Sequence, residues 1–150
     1  MARWQVNLRG RSLFITTLLA HDEERRQQIA ELRDYLGKVA QFSPTDRGPD
    51  KARDVIVARN QLLLGELLAQ DGHLDEAATQ WRAVVTLMQA LVATGDLDAM
   101  ALMATAQLRL GAKAEANVLA QRIEASAYRH PAYANLVRML AEAGGAAPGK

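Results

Sequence analysis

No cysteine occurs in the 150 residues of this chain. That excludes disulfides, thiolate zinc sites and a cysteine nucleophile. Aromatic residues make up only 5%, and β-branched residues are too thin for a large sheet. Long apolar runs are missing too. The longest near the start, residues 13–20, is broken by Thr16 and Thr17. It falls short of the roughly 20 residues that cross a bilayer. Met1-Ala2-Arg3-Trp4 adjoins neither an apolar region nor a small-residue cleavage site for export. The formal net charge is only +1, so no global field gathers nucleic acid. A soluble cytoplasmic protein, or a soluble piece of a larger one, is the expectation.

Signatures of catalysis are equally sparse. His21, His73 and His130 all fall at predicted turns, without HxxxH or HExxH spacing. Ser12, Ser43 and Ser126 lie outside any GxSxG motif. Gly10-Arg11-Ser12 is too little to cradle a phosphate, and no GxGxxG or GxxxxGK[ST] motif is present. Asp75-Glu76 and Asp96/Asp98 stand at helix starts, where capping and the helix dipole account for them better than acid–base or metal chemistry. The sequence therefore predicts no enzyme, no cofactor and no metal.

What the chain does hold is helix-forming material, rich in Ala and Leu, with 49% apolar and 23% charged residues. Its length suits one domain able to bury about 68–70% of its unfolded surface. Seven helices are predicted. They cover about residues 4–20, 23–42, 51–70, 74–93, 96–110, 113–128 and 131–143, followed by a disordered tail at 144–150. Ile29, Leu32, Leu36 and Val39 make the stripe of the second. Val55, Ala58, Leu62 and Gly65 share one side of the third.

The fourth has the strongest pattern: Leu74, Ala77/Ala78, Trp81, Val84/Val85, Met88 and Leu91/Val92. Leu97, Met100, Ala104 and Leu108 mark the fifth, and Ala116, Leu119/Ala120 and Ile123 the sixth. Met88, Met100, Met103 and Met139 fall near core spacing. Gly72, Gly95 and Gly111 are predicted stops, and Pro131 suits a first helical turn. Pro44, Gly48 and Pro49 make residues 43–50 a loop.

Charge is distributed unevenly. The first sixty residues favour Lys and Arg, whereas residues 61–110 favour Asp and Glu. Arg3, Trp4, Arg9 and Arg11 could meet phosphate or an acidic partner. Packing of Trp4 with solvated arginines is the preferred account. Arg25-Arg26 and Lys51/Arg53 add little to it, and no later helix is basic enough to read DNA. No nucleic-acid or membrane partner is expected.

The run of residues 62–85, with Leu64-Gly65, Gly72, Ala77-Ala78 and Trp81, resembles a tetratricopeptide repeat. Met103-Ala104, Gly111 and Ala116 repeat the pattern, with Ala120 where the family has an aromatic. Leu136-Val137 before Gly144 looks like a half repeat. The glycine intervals are 39 and 33 residues, against a family period of about 34. The first hairpin matches only in helix length and in Leu18-Leu19-Ala20.

The resemblance implies one all-α domain over residues 1–143, a short right-handed solenoid of stacked antiparallel hairpins. Its parts are a divergent hairpin at 1–42, a central one at 51–93, a third at 96–128 and a capping helix at 131–143. It also implies binding of a protein or peptide on a concave face lined by the first helix of each hairpin. Arg59, Glu66, Thr105, Arg109 and Arg138 then become the partner-binding candidates. Leu62 and Glu66 stand where chaperone-binding members of the family carry Lys and Asn, which argues against a carboxylate clamp. A weaker likeness joins Leu110-Gly111-Ala112-Lys113-Ala114-Glu115-Ala116 and Tyr128-Arg129-His130-Pro131-Ala132-Tyr133 to C-terminal repeat modules of bacterial signalling proteins. A ligand-sensing or self-associating helical domain, including a homodimer, is the alternative.

Overall fold

The computed structural model describes residues 22–41, 50–126 and 130–144. Within them the chain is all-helical. The helices are α1 (Asp22–Gln41), α2 (Lys51–Gln70), α3 (Leu74–Ala93), α4 (Leu97–Arg109), α5 (Lys113–Ala125) and α6 (Pro131–Gly144). The helix expected at residues 4–20, with Arg3, Trp4, Arg9 and Arg11 in and beside it, lies outside the described residues. So do residues 43–49 and the tail beyond Gly144. No described helix is long and apolar enough to cross a membrane.

Three successive helices end in the same way. Gly72, Gly95 and Gly111 take φ of 85°, 87° and 82°, a region that side-chain-bearing residues avoid. At each glycine the next residue donates its N–H across the turn. His73 N reaches Leu68 O at 2.8 Å, Asp96 N reaches Leu91 O at 3.0 Å, and Ala112 N reaches Gln107 O at 2.8 Å. The glycines themselves donate to Ala69, Val92 and Leu108. This is the Schellman pair of bonds, which satisfies carbonyls left over at a helix end.

The donor residue then opens the following helix. The carbonyls of His73, Asp96 and Ala112 accept from Ala77, Met100 and Ala116 at 3.0–3.1 Å. Each connection is therefore three residues long. Asp96 adds a side-chain cap, accepting from Ala99 N at 2.9 Å. Asp50 does the same for α2, accepting from Arg53 N at 3.2 Å.

Two helix ends differ from expectation. Helix α5 stops at Ala125 rather than near residue 128. The Ser126 hydroxyl donates to Ile123 O at 2.6 Å and so satisfies a terminal carbonyl. Gly144 is the last helical residue of α6 and lacks the left-handed turn of the other three glycines.

The chain divides into two compact units at Gln80/Trp81, inside α3. In the first, α1 packs on α2. Gln28, Ile29, Leu32 and Tyr35 form the buried stripe of α1, while Leu36 and Val39 are only half-buried. Helix α2 buries Val55, Ala58, Leu63, Leu64, Gly65, Leu67 and Leu68, and also the polar Asp54 and Asn60. Leu62 is half-buried.

In the second unit α4 packs on α5 and α6, and α5 packs on α6. Helix α4 buries Ala99, Met100, Ala101, Leu102, Met103, Ala104 and Ala106, so it is enclosed on nearly every side. Its alanines, with Ala116 and Ala120 of α5, permit close helix axes. Ile123 and Leu136 are wholly buried, and each such side chain contributes about 1.5–3 kcal/mol. Trp81, Val84, Met88 and Leu91 are the buried residues in this unit's part of α3. Leu74 departs from the predicted stripe, since it is 65% exposed. Side chains lean toward the N-terminus of a helix, so that of a first residue projects past the end of its own stripe.

Candidate functional site

The five sequence candidates lie on three helices. Arg59 and Glu66 stand seven residues apart on α2, on one side of the helix two turns from each other, and both are half-buried. Thr105 and Arg109 are four residues apart on α4, again on one side. The Thr105 hydroxyl donates to Ala101 O of its own helix at 2.8 Å, which turns its proton away from any partner. Arg109, the last residue of α4, is exposed. Arg138 lies on the exposed side of α6, where it donates to Asn135 Oδ1 at 2.6 Å and pairs with Glu142 at 3.5 Å.

Sequence reasoning missed a charged cluster at the turn between α2 and α3. Asp71 caps α2, whose last turn has no basic residue. A carboxylate there opposes the negative end of the helix dipole. The compensating charge comes from α1. Arg25 approaches Asp71 at 3.6 Å and Arg26 at 3.9 Å, while Arg25 also holds Asp22 at 2.7 Å. Arg33 of α1 bonds Glu76 in the first turn of α3. His73 completes the set, with Nε2 3.5 Å from Asp71 and Nδ1 3.7 Å from Glu76. Arg25-Arg26 and the residues flanking Gly72 thus do more than finish a helix and a turn. They join positions more than forty residues apart in sequence, which local pattern does not reveal.

A second polar site lies at the start of α2. The Asp54 carboxylate is buried and takes Arg53 Nε at 2.9 Å and Nη2 at 2.8 Å. Asn60, also buried, donates to Ile56 O at 2.8 Å. Burial raises the pKa of the Tyr35 hydroxyl above its ordinary value. Among the described residues no group of three or more His, Cys, Asp or Glu is arranged to hold a metal ion.

Arginines and carboxylates at helix surfaces can form charge-assisted bonds to a polypeptide. Compared with protein-family models, with curated proteins and with solved structures, the chain matches none.

Proposed function

We propose that this chain is a non-catalytic protein-interaction module of the tetratricopeptide-repeat type. It takes a protein or peptide along α2 and α4, the first helices of its hairpins, with α6 as a cap. The observation that carries this reading is the recurrence of one turn. Three consecutive connections share the same length, the same left-handed glycine and the same pair of hydrogen bonds. Identical short joints are what a stack of helical hairpins needs, because each hairpin must present the same edge to its neighbour. Arg59 and Glu66 supply charge on α2, Arg109 on α4 and Arg138 on α6, with Thr105 as a neighbouring contact. A role as a regulatory segment of bacterial signalling rests on the weaker likeness around residues 110–133.

The double variant Arg109→Glu/Arg138→Glu tests the proposal. Both residues are exposed, so the fold should tolerate the change. The account predicts that partner capture in a quantitative pull-down falls at least tenfold while the melting temperature holds. Undiminished capture would remove these sites.

Self-association is the second reading. Val118 on α5 and Val137 on α6 are exposed at 57% and 44%, and pairing with a second copy would bury them. Native mass spectrometry separates the two readings, since a dimer at low micromolar concentration supports the second.

A further inference from the structure

Helix α1 has a thin apolar anchor. Its buried residues end at Tyr35, and residues 36–41 are half-buried or exposed. Two polar atoms at its N-terminal half, Arg25 Nε and Gln28 Oε1, are buried without a hydrogen-bond partner among the described residues, and this weakens the seam. Against that, the N-terminal half of α1 meets the α2–α3 turn through Arg25–Asp71, Arg26–Asp71 and Arg33–Glu76. Arg25 and Asp71 have side chains only 17% and 15% exposed, whereas Arg26, Arg33 and Glu76 are half or more exposed and open to screening by salt.

We infer that α1 is a detachable strap, latched to the α2–α3 turn by these ion pairs and released when they are screened or broken. Release uncovers the flank of α2 on which α1 packs. The strap is a property of the first unit and does not depend on the proposed partner surface. Local opening of one helix below the global unfolding energy is a known mode of protein motion. A latch made of charge sets that opening by ionic strength.

The test is hydrogen exchange read by mass spectrometry on the full chain. Amides of α1 are followed at about 0.05 M and about 1 M NaCl, where the Debye length falls severalfold. Expected is exchange in α1 about five- to tenfold faster at high salt, with α4 and α5 changing less than twofold, because several weak pairs act together. Asp71→Asn with Glu76→Gln should accelerate α1 at low salt by a similar factor and remove most of its salt response, leaving what the Asp22–Arg25 and Asp34–Lys38 pairs contribute. Asp34→Asn is the control. It breaks the Asp34–Lys38 pair within α1 and should leave the salt response intact. Exchange in α1 indifferent to salt and to the double variant would overturn the latch. So would equal acceleration in every helix, which marks global unfolding.

Discussion

The two units of this chain are built from different materials. Gln28, Asp54 and Asn60, the buried polar residues among those described, all belong to the first. There α1 is tied to the α2–α3 turn by arginines and carboxylates. In the second unit α4 buries its own alanine, methionine and leucine side chains, and the buried polar atoms found without a hydrogen-bond partner among its described residues are Trp81 Nε1 and Gln107 Oε1. Apolar burial is not screened by salt and punishes any lost volume. Charge pairing has little strength in each contact but responds to solution conditions. The two units should therefore respond differently to salt and to lost volume.

The largest expected effect is in the second unit. Ile123→Ala should lower the unfolding free energy by about 2–5 kcal/mol in urea titration, since a wholly buried side chain is lost. A change under about 1 kcal/mol would mean that this unit is not the tightly packed one. In the first unit Arg53→Leu leaves the Asp54 carboxylate buried without its partner. A loss of about 1–3 kcal/mol is expected, and Arg53→Leu with Asp54→Leu should recover much of it, because a buried pair can be replaced by apolar groups. No recovery would show that the polar burial is itself stabilising. The smallest effect tests what the two halves share. Gly72→Ala and Gly111→Ala should each cost about 1–2 kcal/mol through the left-handed backbone alone, since a Cβ at either position meets nothing within 4 Å. Unequal melting shifts for the two would break the equivalence of the turns.

Much of the fold is legible in the sequence, because glycine stops and apolar periodicity are local signals. Gly72, Gly95 and Gly111 mark their turns, and Ala116, Leu119, Ala120 and Ile123 are buried as their spacing suggests. Helix α4 is harder to read. Leu97 and Leu108 are only half-buried, while Ala99, Ala101 and Ala106 are enclosed. Alanine sits equally well on a surface or in a core, so its burial depends on which neighbours arrive. The same limit hides the charged latch. Periodicity says which face of α1 carries Arg25 and Arg33, but not that Asp71 and Glu76 come to meet them. Of the candidate site, sequence places Arg59 with Glu66 and Thr105 with Arg109, since these pairs share a helix face. It gives no sign that Thr105 and Arg138 bond within their own helices.

The most direct test of the interaction account is a footprint of the captured partner on the full chain by hydrogen exchange. The account predicts slowed exchange in α2 and α4, centred on the turns that carry Arg59 to Glu66 and Thr105 to Arg109, with α3 and α5 unchanged. Protection confined to α3 and α5, or absent from every helix, would contradict it.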